Sequence, residues 1–402
     1  MRYDIAFVFL QNNLALRGTI MRDEIPETHF KGGDMATSLD KLTIKGFKSI
    51  HQLNEFELKN LNVIVGANGA GKSNLISFFK MLRALIDGTL NRYVRDNGGA
   101  SDLLFNGNKV TQKMAFETRF GDSGFRFNLV STPANGCAIE DEARYDIKGA
   151  DGWWLLGDSD DGRSKMVAEI ENNSADAPYS KPVYDAIASW QIYHFHDTSA
   201  TAGMRKYEII QDNKTLRTDA SNISAFLLKL KNDAPHEYKS IVNAIRLVTP
   251  FFHDFILEPR QSGQKEEVNM SWMQKDSDYP MQPYHLSDGS IRFICLVTAL
   301  LQPNPPSTII IDEPELGLHP AAIVILAEII QQTAQRTQVI IATQSPILID
   351  QFSVEDIVIV NRKQGASSFE RLNEADFSQW LENYSLGELW EKNVIAGGPS
   401  YE

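Results

Sequence analysis

Eight consecutive residues, Gly66-Ala67-Asn68-Gly69-Ala70-Gly71-Lys72-Ser73, fit the pattern G-x-x-x-x-G-K-[ST], in which a glycine-rich turn cradles the phosphates of a nucleotide. Glycines at 66, 69 and 71 let the backbone curl until its N–H groups point inward at phosphate oxygens. A helix opening at this point adds partial positive charge. Lys72 then reaches the outer phosphates, and the Ser73 hydroxyl suits Mg²⁺. The pattern predicts a site for ATP and Mg²⁺, with Gly66, Asn68, Gly69, Ala70, Gly71, Lys72, Ser73 and Asn74 around the phosphates. A second run, Ser307-Thr308-Ile309-Ile310-Ile311-Asp312-Glu313, is an apolar strand ending in two adjacent carboxylates. Asp312 suits the metal beside Ser73, and Glu313 is placed to polarise the attacking water as a general base. A charged strand end can be no more than a solvated cap, but the sequel Pro314-Glu315-Leu316-Gly317-Leu318-His319-Pro320 is too particular for that. A third run, Val339-Ile340-Ile341-Ala342-Thr343-Gln344-Ser345-Pro346, is a strand ending in a polar sensor.

These groups need elements to position them. The run Leu61-Asn62-Val63-Ile64-Val65 has strand composition, and after Ser73 the apolar residues Ile76, Phe79, Leu82 and Leu85 recur at helical spacing. The motif thus has the strand–turn–helix setting that it requires. Alternation over 40–65 predicts two or three strands, and the helix from 73 is predicted to end near Gly88. Residues 100–200 carry turn signals at Asn106-Gly107, Gly121-Asp122 and Asp151-Gly152 and read as mostly antiparallel strands, with a short helix near 183–190. The pattern is helical over 219–249, with strands following at 255–259 and 266–272. A helix over 290–301, a strand over 308–312, a helix over 320–335, a strand over 338–342, a short helix over 345–352 and strands over 356–360 and 368–372 then succeed one another, as in a mostly parallel sheet. The expected fold is α/β, with a mostly parallel core sheet, an antiparallel β subdomain and a small helical lobe.

At 402 residues the chain has room for two or three structural units, and 43% hydrophobic with 23% charged residues is an ordinary globular composition. No apolar run approaches the roughly 18 residues of a membrane span, so no membrane partner is expected. The stretch Ile5 to Leu10, with only Arg2 ahead of it, makes a poor signal peptide. Cys137 and Cys295 offer neither a disulfide framework nor metal-ligand spacing, and a cytoplasmic location is expected. The net charge of −13 argues against nonspecific coating of nucleic acid. The balance is uneven, with nine Lys/Arg against five Asp/Glu over 36–100 and nine against fifteen over 101–190.

Leu286-Ser287-Asp288-Gly289-Ser290 precedes the Asp312 strand and opens a helix. The order of phosphate loop, LS-x-G helix start and Asp-Glu strand resembles the ATPases of the ABC class. In that class the LS-x-G helix of one subunit presents its serine and backbone N–H groups to the γ-phosphate held by another. The resemblance implies that Ser287 and Gly289 bind a partner's nucleotide and that the functional unit is a homodimer or a higher assembly. Most of the class carry a histidine where Gln344 stands. Glutamine donates the same hydrogen bond but cannot carry a proton, so slow hydrolysis is expected, with Gln344 joining Lys72 and Glu313 as catalytic candidates. Within the class, Leu42-Thr43-Ile44-Lys45-Gly46-Phe47-Lys48-Ser49-Ile50 and Asp312-Glu313-Pro314-Glu315 look like RecF-, SMC- and OLD-like ATPases. Tyr193-His194-Phe195-His196-Asp197-Thr198 and Tyr384-Ser385-Leu386-Gly387-Glu388-Leu389-Trp390 look like the stand-alone bacterial "predicted ATPases" of the RecF-like group, a likeness covering residues 38–398. Relatives of that kind occur in anti-phage operons, retron-associated ones included. The resemblance implies a sensor or scaffold for an effector in trans: a nuclease, a toxin or a reverse transcriptase complex. It leaves open a DNA-repair ATPase that clamps duplex DNA, and an assembly module with little hydrolysis.

Departures from those relatives shape the expectation. Residues 200–285 have room for short helices and not for the long coiled coil of SMC proteins, and no OLD-type Toprim nuclease is expected after Pro346. Transporter cassettes prefer Gly-Gln after LS-x-G, where this chain has Ser290-Ile291. The expected division is an appendage over 1–37, an N-terminal ATPase lobe over 38–200, a helical lobe with the LS-x-G motif over 201–300 and a C-terminal ATPase lobe over 301–402. His194 and His196, with Asp197 next to them, hint at a metal, but only alternate strand residues share a face and the third ligand is missing, so a structural or nucleotide-proximal place is expected. Gln191 lies where a metal- and water-sensing glutamine would fall. Asp158-Ser159-Asp160-Asp161-Gly162 lacks the distal glutamate of a calcium loop and reads as a solvated turn. Trp380, Tyr384 and Trp390 read as a C-terminal packing cluster, with partner docking as the alternative.

Overall fold

The computed structural model describes residues 38–147 and 152–395. The expected appendage over 1–37 lies outside them. The chain divides into Met1–Met35 and Ala36–Glu402, and the second unit carries the elements below. Strands β1 (Lys41–Phe47) and β2 (Ile50–Glu57) form a hairpin, and β3 (Leu61–Val65) runs through the glycine-rich loop into α1 (Lys72–Ile86). Helices α2 (Leu90–Asp96) and α3 (Ala100–Leu103) lead to β4 (Lys113–Phe120), β5 (Ser123–Ser131), β6 (Cys137–Asp146) and β7 (Gly152–Ser159). Helices α4 (Lys165–Glu171) and α5 (Ala177–Ser189) precede β8 (Gln191–Tyr193) and β9 (Glu208–Ile209). Helices α6 (Ile223–Asp233) and α7 (Pro235–Val248) come next, then β10 (Phe252–Ile256), β11 (Arg260–Ser262), β12 (Lys265–Val268), β13 (Ser271–Gln274) and β14 (Pro280–Met281). The last part runs α8 (Asp288–Leu301), β15 (Thr308–Asp312), α9 (Pro320–Ala334), β16 (Gln338–Thr343), α10 (Pro346–Ile349), β17 (Ile357–Lys363), β18 (Ala366–Arg371), α11 (Glu374–Leu381) and α12 (Leu386–Glu391).

Two six-stranded sheets organise these elements. The first, in the order β2-β1-β4-β5-β6-β7, is antiparallel throughout. The second, in the order β18-β17-β3-β16-β15-β8, is parallel except for the β17–β18 hairpin. Alternate side chains of the parallel sheet enter two cores. Leu61, Val63, Val65, Ile309, Ile311, Val339 and Ile341 pack with α6 to α9. Ile64, Ile310, Ile340 and Ala342 pack with α1 and the antiparallel sheet. Strands buried on both faces read as unbroken apolar runs, which is why 308–312 and 338–342 were legible without alternation.

The expected mostly parallel core and antiparallel subdomain are both present, and α6 and α7, of 11 and 14 residues, form no long arm. Some boundaries differ. The helix expected near 183–190 begins at Ala177, because Pro178 falls in its first turn, where a missing N–H costs nothing. The strand expected at 255–259 starts at Phe252. The expected turn after Asp158 is satisfied internally, with Asp161 Oδ1 accepting from Ser159 Oγ at 2.7 Å and from Arg163 N at 3.1 Å. The tryptophan cluster divides: Trp390 packs against the core, while Trp380 and Tyr384 are exposed with ring centroids 6.3 Å apart. Among the described residues no helix is long and apolar enough to cross a membrane.

Candidate nucleotide site

Register alone assembles the centre of the site. Thr343 lies beside Val65, and Asp312 beside Ala342, so Gly66, Glu313 and Gln344 all leave the carboxyl ends of neighbouring strands. That edge is where open α/β sheets bind ligands. The loop itself needs its glycines: Gly69 and Gly71 have φ of 79° and 121°, where a Cβ is strained. A Cβ on Gly71 would also lie 2.1 Å from Ser367 Oγ. Ser367, on β18, braces the loop from behind. Asn74 Nδ2 donates to Ser49 Oγ, Ser49 Oγ to Ser367 Oγ, and Ser367 Oγ to Ala70 O, each at 2.6 Å. The Asn74 side chain is therefore committed behind the loop. Lys72 is buried, its Nζ donating to Gly66 O at 2.5 Å and Ala67 O at 3.3 Å. Burial lowers its pKa, against the pull of Glu313, Asp312 and Glu315. Arg362 reaches the tip of the loop, donating to Gly69 O at 3.3 Å.

Opposite the loop stand the carboxylates. Burial, and then the charge of Glu313, push the Asp312 carboxyl above the usual range, with His196, Lys80 and Lys72 opposing. Among the described residues neither Ser73 Oγ nor the Asp312 carboxylate makes a hydrogen bond or ion pair, and no group of three His, Cys, Asp or Glu could hold a metal alone. His194, His196 and Asp197 belong to no such group. Two uncommitted oxygens fit Mg²⁺, which takes one or two protein ligands and completes its shell with phosphate and water. Glu313 has φ 46°, a strained conformation for a residue with a side chain, and its N–H is tied to Ala342 O at 2.8 Å. Gln344 completes the centre. Its Nε2 donates to Glu313 Oε1 at 2.7 Å and to Asn68 Oδ1 at 2.9 Å, linking the carboxylate to the phosphate loop.

Ser287 and Gly289 open α8 elsewhere. Ser287 caps that helix, accepting from Ser290 N at 3.1 Å, and is solvent-exposed. Among the described residues no hydrogen bond or ion pair joins Ser287 or Gly289 to residues 66–73. A Cβ on Gly289 would meet Gly317 O at 2.4 Å, so the helix start is pressed onto the loop that follows Glu313. Two arginines hold it there, neither of them anticipated from sequence. Arg205 donates to Pro283 O at 2.7 Å and Leu286 O at 3.1 Å, and pairs with Asp288 at 2.8 Å. Arg292, buried, donates to Phe195 O at 2.8 Å, His196 O at 3.1 Å and Leu316 O. A lone cation in the apolar run 291–301 was the available signal for Arg292. The register places Gln191 beside Ile309, three positions before Asp312 on the neighbouring strand. That is about 10 Å of strand away from the carboxylates, so Gln191 does not belong to the site.

Similarity to known proteins agrees with this geometry. The family model described as "AAA domain, putative AbiEii toxin, Type IV TA system" matches residues 61–350, from β3 through α10. A comparison with curated proteins finds no match. Among solved structures, the Smc head bound to the C-winged helix domain of ScpA is similar with a TM-score of 0.56 at 16% identity, over 85% of this chain and 99% of that one. The Smc head domain with a coiled coil and joint from Pyrococcus yayanosii has a TM-score of 0.50 at 13% identity, over 86% of this chain and 99% of that one. At such identities these structures speak for the fold alone. The family model covers well over half of the sequence, and the chain belongs to this AAA, putative AbiEii toxin family, with a fold like that of the Smc heads.

Proposed function

We propose that the chain binds ATP with Mg²⁺, hydrolyses it slowly, dimerises on ATP and regulates an effector protein in trans. The observation that carries this reading is the Gln344 amide bonded to both Glu313 and Asn68, with Lys72 beside them. In this reading the loop N–H groups and Lys72 hold the phosphates, and Ser73 and Asp312 hold the metal. Bound Mg²⁺ would neutralise phosphate charge. Glu313 takes the proton of the attacking water, and Gln344 orients it. The exposed Ser287 supports a role toward a second copy's nucleotide: its Oγ now caps its own helix and would exchange that bond for one to a γ-phosphate. The lobe over 201–300 would then carry the signature between copies, and hydrolysis would reopen the dimer, a population shift coupled to the γ-phosphate.

One finding supports a protein partner in trans: a head of similar fold is bound by a domain of ScpA. The test is affinity purification of Glu313→Gln with ATP, from cells carrying the neighbouring genes, followed by mass spectrometry. Stoichiometric recovery of a nuclease, toxin or reverse transcriptase is expected. Recovery of DNA alone would move the role to direct DNA clamping.

A further inference from the structure

We infer that Glu315 is a positioning residue for Gln344; the kinetic part of this inference rests on the ATPase reading above. Gln344 is gripped at both ends. Glu313 Oε1 accepts from its side-chain amide at 2.7 Å, and Glu315 Oε1 accepts from its backbone N–H at 3.3 Å. The same Glu315 oxygen accepts from Thr343 Oγ1 at 2.6 Å, and Thr343 Oγ1 in turn accepts from Ser345 N at 3.0 Å. One carboxylate oxygen thereby fixes residues 343–345, where β16 leaves the sheet. Pro314, buried between the two glutamates, fixes its own φ and sets their side chains on the two ends of the glutamine.

The other oxygen of Glu315 argues against a merely local turn contact. Oε2 is buried and has no hydrogen-bond partner, and burial pushes the carboxyl above the usual range. A glutamate on a surface turn keeps its charge in water; enclosing one with a single compensated oxygen is costly. What the enclosure secures is the direction of Gln344. Without Glu315 the Gln344 N–H and the Thr343 hydroxyl lose their shared acceptor, and the amide leaves Glu313 and Asn68. Glu315 makes no hydrogen bond to the residues assigned to the phosphates; its charge acts on Lys72 and Glu313, and its hydrogen bond to the site is the one to Gln344 N.

The experiment compares wild type, Glu315→Gln, Glu315→Leu, Gln344→Ala and Glu315→Leu/Gln344→Ala by crystallography and steady-state ATP turnover. Glu315→Gln keeps an acceptor oxygen, so Gln344 stays in place and kcat stays within about threefold of wild type. Glu315→Leu moves the Gln344 amide off both partners and lowers kcat about 30-fold or more, with KM within about twofold. Adding Gln344→Ala to it costs nothing further. The inference is overturned if Glu315→Leu leaves Gln344 bonded to Glu313 and Asn68, or if the Glu315→Leu and Gln344→Ala losses multiply. Should Glu315→Leu not fold, Thr343→Val removes the 2.6 Å bond to Glu315 and the 3.0 Å bond from Ser345 N and is judged by the same displacement of Gln344. A wild type that turns over no ATP would refute the ATPase reading, while the crystal structures would still decide the place of Glu315.

Discussion

At the scale of single residues, the phosphate loop separates two demands that its sequence pattern merges. Gly69 needs a positive φ but has nothing within 4 Å of where a Cβ would stand; Gly71 needs the positive φ and also the space, because Ser367 Oγ would be 2.1 Å away. Gly69→Ala should therefore cost about 1 kcal/mol, the penalty of the left-handed backbone alone. Gly71→Ala should cost about 3 kcal/mol or more. Removing the obstacle with Ser367→Gly should recover part of the Gly71→Ala loss and none of the Gly69→Ala loss. Urea denaturation of the four variants decides this, and equal costs for the two alanine substitutions would contradict it. The glycines themselves were legible as a motif. The serine that makes Gly71 the stricter position was not, since it lies 296 positions away in sequence on the C-terminal hairpin. Glu315 and Thr343 were hidden for the same reason: nothing local says which carboxylate faces which hydroxyl.

Elements show the same division between what sequence pattern carries and what packing decides. Strands at 61–65, 308–312 and 338–342, and the helices that follow them, were readable because a strand buried on both faces and a long apolar helix each leave a distinct run. Gln191 was misplaced because the register of β8 against β15 depends on a pairing that no local pattern reveals. The signature helix rests on Arg292, whose guanidinium satisfies the carbonyls of Phe195, His196 and Leu316. Arg292→Met fills similar space but strands those carbonyls, and should cost about 3 kcal/mol; an unchanged urea midpoint would contradict this. In the antiparallel subdomain the buried Glu142 carboxylate caps α4, accepting from Ser164 Oγ at 2.5 Å, Lys165 N at 2.8 Å and Met166 N at 3.0 Å. Burial raises its pKa, with those hydrogen bonds opposing. The folded state therefore holds this proton more tightly than the unfolded chain. The stability it contributes is present below the ordinary value near ~4.3 and is lost as pH rises through the raised one. Wild type should lose stability relative to Glu142→Gln as pH rises across that window. A difference in thermal midpoint that does not vary with pH would contradict the assignment.

At the scale of the whole molecule, one parallel sheet separates two cores, and the nucleotide chemistry is divided between them. The helix of the phosphate loop belongs to one core, and the signature helix to the other. The carboxylates and Gln344 stand at the strand ends where the two meet. Within one chain Ser287 faces solvent and, among the described residues, shares no hydrogen bond with the phosphate loop. The proposed function therefore requires a second copy to bring Ser287 to the nucleotide. The most direct measurement is mass photometry of Glu313→Gln with and without Mg²⁺ and ATP, with Lys72→Ala as control. The chain has a mass of 45.1 kDa. The expected result is a species of twice that mass, appearing with ATP in Glu313→Gln and absent in Lys72→Ala. Glu313→Gln that binds ATP and remains at the mass of one chain would contradict the account.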